Sequence, residues 1–151
     1  MTKKFLLAVL AYVALSFAIG APWHFILFKD VYHELGIYNR AEPIIPLGLL
    51  SMFVQGAIIA LLYPYFGCEK TPIRSGLAFG GLMGLFLFSV STLANAAKIQ
   101  VSSIELWLTV QSTFHLIQFA AAGAAIGWIY GSDFKHAGRS QAPVRAAGTV
   151  R

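Results

Sequence analysis

Residues 104–130 read IELWLTVQSTFHLIQFAAAGAAIGWIY. After Glu105 this stretch is almost wholly apolar, yet its first half carries Gln111, His115 and Gln118 and its second half Gly123 and Gly127. The three polar residues are spaced i, i+4 and i+7, so in a helix they share one face. Hydrocarbon penalises an imidazole or carboxamide without a partner, so that face is expected to look inward, toward other helices or a water-filled cavity.

Composition places the stretch in a class. The chain is 58% hydrophobic and only 11% charged, with a mean hydropathy of +0.70. Soluble domains average roughly 45–50% apolar and 25% charged residues, so this chain would expose too much apolar surface in water. Its 151 residues are mostly consumed by four apolar segments, about 5–28, 44–66, 76–97 and 104–130, each long enough for a span of about 20 residues. The expected fold is all-α: an integral membrane four-helix bundle, antiparallel and up-down-up-down, with a flexible basic tail over 132–151.

Working outward, the third segment carries Gly76, Gly80 and Gly84 at strict spacings of four. Three such glycines leave a groove along one helix face and admit another backbone closely. The second segment has Pro46 in its first turn, where a missing N–H costs little, Gln55 at its centre and the trio Tyr63, Pro64, Tyr65 as an interfacial stop. Ahead of the fourth segment, Ser102 or Ser103 is positioned to cap it, with Glu105 complementing the helix dipole.

The first segment follows Lys3 and Lys4. A cleaved signal peptide competes with a retained span, because Ala18 and Gly20 imitate a cleavage site. The apolar run continues past them through Trp23, Phe25, Ile26, Leu27 and Phe28, with Pro22 where processing would be hindered, so retention is the expectation. Between this segment and the second, charges interleave with Tyr32 and Tyr38 in a pattern that suits a short helix on the outer membrane surface, its aromatic side chains among headgroups.

Charge orients the spans. With the N-terminus cytoplasmic, Lys3, Lys4, Lys70, Arg74, Lys135, Arg139, Arg145 and Arg151 lie inside and Lys29, Arg40 and Lys98 outside, which the positive-inside rule favours. Both termini are thus expected in the cytoplasm of a bacterial cell with the chain in its inner (plasma) membrane. The basic pI of about 9.6 is then an orientation device and a contact with anionic lipid, and implies no nucleic-acid partner. Cys68 stands alone, so no internal disulfide can form.

That topology puts the glycines of spans three and four in the inner leaflet and the polar residues in the outer half. Trp23, His24 and Asn95 fall near the outer surface, Gln111 below them, and Gln55, His115 and Gln118 deeper. A bundle pinched on the inside and polar on the outside implies a pocket opening outward, with these seven residues as its ligand-binding set. The plainer alternative is a hydrogen-bonded network of Gln55, Gln111, His115 and Gln118 that fixes the register of the bundle.

The leading function is binding or passage of a small or lipophilic molecule through that pocket. The alternatives are a non-catalytic accessory subunit docked on a larger membrane protein partner, or a homo-oligomer, and a membrane enzyme using His24 and His115. Haem on those two histidines is disfavoured by depth, since a rise of about 1.5 Å per residue puts His24 roughly 5 Å and His115 roughly 15 Å below the surface. Asp30, His33 and Glu34 lack the second histidine in register that a zinc hydrolase helix needs. No phosphate loop, dinucleotide turn or Cys-x-x-Cys pair is present, so no cofactor, metal or catalytic residue is assigned. The layout resembles that of small bacterial membrane proteins, a likeness that supplies no activity.

Overall fold

In the computed structural model, residues 2–37, 40, 42–66 and 71–140 are described, without the side chains of residues 2 and 132–140. Tyr38, Cys68 and the tail from residue 141 lie outside that set. All regular structure among the described residues is helical. α1 spans Thr2–Pro22 and continues as a π-helical turn, Trp23–Leu27, and the short α2 spans Lys29–Glu34. α3 is Ile45–Leu62, finished by a tight 3₁₀ turn at Tyr63–Tyr65. α4, Pro72–Phe88, also widens into a π-helical segment, Ser89–Leu93, before the three-residue α5, Ala94–Ala96. α6 is Ile104–Ser140.

Local chemistry accounts for these boundaries. Pro46 and Pro72 sit in the first turns of α3 and α4, where proline's fixed φ is pre-set for a helix. For α4 this moves the start to Pro72, four residues ahead of the expected Gly76. Ser103, not Ser102, caps α6: its Oγ accepts the Leu106 N–H at 3.3 Å. Ser102 instead donates to the Glu34 carbonyl at 2.8 Å and ties the α6 entry to α2. At its far end α6 does not stop at Gly131; its backbone stays helical to Ser140, so the tail expected from Ser132 starts as helix.

The two π-helical segments have separate causes. Pro22 removes an N–H from the α1 ladder, and the next turn closes with a wide bond from Phe28 N to Trp23 O at 3.0 Å. In α4 the hydroxyls of Ser89 and Ser91 donate to the carbonyls of Phe86 and Leu87, each at 2.7 Å, and compete with the backbone ladder.

Across the molecule, α1 packs on α3 and on α6, and α6 packs on α4. The tightest of these contacts is α4 against α6. A Cβ on Gly84 would meet the Phe119 side chain at 2.9 Å; one on Gly80 would lie 3.0 Å from Gly123 Cα; one on Gly76 would strike the backbone of Gly123 and Gly127. Rising numbers on α4 meet falling numbers on α6, so the pair is antiparallel. Small residues let the backbones touch along this face, which gathers many weak dispersion contacts in a short length.

One end of the molecule is closed by aromatic side chains. The Tyr63 ring lies 5.2 Å from Phe79 and 5.3 Å from Tyr130, and the Tyr130 hydroxyl donates to the Ala60 carbonyl at 3.0 Å. At the opposite end α2 folds back on the molecule, burying Tyr32 and Leu35 against Trp107 and Val110. Tyr32 was expected among headgroups; it is 1% exposed, because its hydroxyl finds a partner inside. The outer surface is apolar in turn, with Leu116 72% and Trp128 73% exposed. Lys3–Leu27, Ile45–Tyr65, Pro72–Ala96 and Ile104–Gly131 are each long and apolar enough to cross a membrane, which by length and composition marks a multi-pass membrane protein.

Candidate functional site

A cavity of about 420 Å³ lies between α1, α3, α6 and the end of α4. Five of the seven expected residues line it: His24, Gln55, Gln111, His115 and Gln118. Trp23 and Asn95 do not. Trp23 packs on Phe28 and Phe114, with ring centroids at 4.4 and 5.8 Å, and its buried indole N–H has no partner. Asn95 donates its side-chain N–H to the Ser91 carbonyl at 2.7 Å, so it braces the π-helical segment behind the cavity wall.

The polar residues are joined, but not to one another as expected. Gln55 Oε1 accepts the Tyr12 hydroxyl at 2.8 Å and its Nε2 donates to Ser51 at 3.0 Å. Gln111 Nε2 donates to the Tyr32 hydroxyl at 3.0 Å, and Gln118 Nε2 to Ser16 Oγ at 2.9 Å. The link between Gln55 and Gln118 runs through Tyr12, whose hydroxyl has Ser16 and Gln118 beside it. A direct cluster of side chains is replaced by pairs, of which Gln55–Tyr12 ties α3 to α1, Gln111–Tyr32 ties α6 to α2 and Gln118–Ser16 ties α6 to α1. The reason is reach: Gln111 and Gln118 stand two turns apart on α6 and Gln55 on α3, with hydroxyls of other elements nearer to each.

His115 shows how little freedom is left. Its Nδ1 is 2.8 Å from the Gln111 carbonyl, an oxygen that can only accept, so Nδ1 carries the proton. In the neutral ring Nε2 is then an acceptor, 3.0 Å from Ser91 Oγ. The single Ser91 proton has two acceptors, Nε2 and the Leu87 carbonyl at 2.7 Å. Next to this pair, Thr92 is fully buried, and its carbonyl, within the π-helical segment, accepts the Trp107 indole N–H at 3.2 Å.

His24 is different. Its ring stands 4.6 Å from Phe114 and 4.9 Å from Tyr32, and its buried Nδ1 has no hydrogen-bond partner. Phe114 also touches His115 at 5.5 Å, so both imidazoles flank one phenyl ring despite their expected difference in depth. Both π-helical segments therefore deliver a side chain to the cavity, His24 from one and Ser91 from the other. Such segments are often found at functional sites, where the wider turn re-aims side chains. Among the described residues no group of three or more His, Cys, Asp or Glu side chains converges on a metal position.

Reading the spans one at a time missed Tyr12, Ser16 and Ser91. The signal for the first two was present in α1, where Tyr12, Ser16, Gly20 and His24 recur every four residues as a polar and small-residue stripe. The cavity also has a visible way in. α1 and α3 touch where a Cβ on Gly56 would lie 3.1 Å from Tyr12, whereas a Cβ on Gly48, two turns away, would meet nothing within 4 Å. The two helices splay toward the α2 end. Compared with known protein families, curated proteins and solved structures, the chain matches none of them.

Proposed function

We propose that this protein binds, or passes, a small lipophilic molecule in the cavity between α1, α3 and α6. The observation that supports this best is the cavity itself, about 420 Å³ inside a bundle of apolar helices, with its glutamines already paired. A hollow of this size whose few polar groups are already hydrogen-bonded suits a lipophilic occupant. In this reading the chain is an up-down-up-down antiparallel bundle in a bacterial inner membrane with both termini cytoplasmic. The distribution of Lys and Arg supports that orientation. The splayed end of α1 and α3 then faces outward, and the glycine contact of α4 and α6 pinches the inner half.

Native mass spectrometry of the purified protein, stripped of lipid and titrated with a panel of lipophiles, tests the reading. Gly20→Phe is the matched variant, because the nearest atoms to its Cβ would be those of the Phe114 and His24 rings, no closer than 3.8 Å, and the new ring would fill the cavity. Binding by the wild type and its loss in Gly20→Phe are expected. Binding that ignores the substitution would place the ligand elsewhere.

A second reading, a membrane enzyme using His115, draws support from the Ser91 hydroxyl 3.0 Å from His115 Nε2, the spacing of a nucleophile and its base. The competing Leu87 carbonyl makes it the weaker reading. Labelling of Ser91 by a fluorophosphonate would favour it over simple binding.

A further inference from the structure

We propose that the ligand is an anionic single-chain amphiphile, a long hydrocarbon ending in a carboxylate or phosphate monoester, with its head at Lys29, His33 and Arg40 and its chain in the cavity. This rests on the pocket reading above and adds the chemical class. Outside the cavity, at the α2 end, lies a second hollow of about 820 Å³. Three basic side chains line it, Lys29, His33 and Arg40, and among the described residues no acid does; the nearby Asp30, Glu34 and Glu42 are not part of its wall. Arginine and lysine in one rim suit a carboxylate or phosphate oxygen set, through charge-assisted hydrogen bonds.

The two hollows adjoin. Phe25, Pro43, Ile44, Gly48 and Ser51 border both. Gly48, which borders both, has open space where its side chain would be, so nothing there bars a chain from running from one to the other. An acid head would find no Lys or Arg in the cavity wall among the described residues, where the glutamines are already paired with Tyr12, Tyr32 and Ser16 and His115 with Gln111 and Ser91. Charge recognition therefore falls to the outer hollow and the cavity is left for the chain. A mainly apolar seam of about 320 Å³ between α3 and α4, walled by Ile58, Ile59, Leu62, Met83 and Phe86, shares Gln55 and Leu87 with the cavity and extends the track.

The test titrates the lipid-stripped full-length protein with oleate, oleyl phosphate, oleyl alcohol, acetate and inorganic phosphate, read by native mass spectrometry and competition fluorescence. Oleate and oleyl phosphate are expected to bind, with oleyl alcohol about tenfold weaker, the worth of one charge-assisted hydrogen bond. Replacing both cations, Lys29→Gln with Arg40→Gln, should bring the two anions down to the alcohol and leave the alcohol unchanged. Both side chains are exposed, so the fold should tolerate the change. Gly48→Trp should weaken all three chains. Oleate binding untouched by the double variant but blocked by Gly48→Trp would overturn the anionic head and leave the pocket reading standing. Acetate or phosphate binding as tightly as the chains would overturn the amphiphile. No chain binding at all, or binding indifferent to both Gly48→Trp and Gly20→Phe, would remove the pocket reading itself.

Discussion

Gly80 and Gly123 meet backbone to backbone: a Cβ added to Gly80 would lie 3.0 Å from Gly123 Cα and closer still to the Phe119 carbonyl. A larger side chain has no rotamer that avoids α6. Gly80→Leu should therefore push α4 and α6 apart and lower stability by about 1–3 kcal/mol, the range for overpacking. Gly81→Leu is the control, since no atom lies within 4 Å of its Cβ. Thermal unfolding in detergent compares them, and equal melting of the two variants would show that the glycine face is not a contact.

His115 separates structure from chemistry. Gln at this position can still hydrogen-bond but cannot titrate, whereas Leu removes both capacities. His115→Gln should fold and bind lipophile as the wild type does; His115→Leu should lose roughly 0.6 kcal/mol, the average for a hydrogen bond between membrane helices, and at most about 1.7. Loss of binding in His115→Gln at full stability would make the imidazole itself the working group.

Trp107 holds the π-helical segment of α4 through the Thr92 carbonyl. Trp107→Phe keeps the ring against Tyr32 but strands a buried acceptor, a cost of about 1–3 kcal/mol. Because Ser91 sits in the same segment, its contact with His115 should loosen as well. Amide exchange across residues 89–93 reads this directly, and faster exchange is expected there than in residues 76–84. Unchanged protection would mean that the segment stands without the indole.

The orientation is open to reporter fusions. Insertions between Lys29 and Pro43 should report an extracytoplasmic position, and fusions after Cys68 or at Arg151 a cytoplasmic one. An extracytoplasmic Arg151 would show that the spans are miscounted or that the first is removed.

The sequence by itself determined the local and the periodic. Four apolar runs, the glycines at 76, 80 and 84, and the shared face of Gln111, His115 and Gln118 are readable because helical periodicity ties them to residues three and four positions away. Only the tertiary structure decided what that face meets. Tyr12, Ser16 and Ser91 reach the site from helices far off in the chain, and which hydroxyl lies opposite which carboxamide depends on how the helices cross. Tyr32 turned inward for the same reason: Gln111, 79 residues away, offers its amide. Trp23 and Asn95 share the apolar run or the depth of the site and still miss the cavity, because a π-helical turn, with more residues per turn than an α-helix, shifts which residues face inward in it and beyond it. The mouth at Gly48 is likewise a property of two helices diverging. A glycine in sequence allows close approach or open space, and the packing of α1 against α3 chooses between them at Gly56 and Gly48.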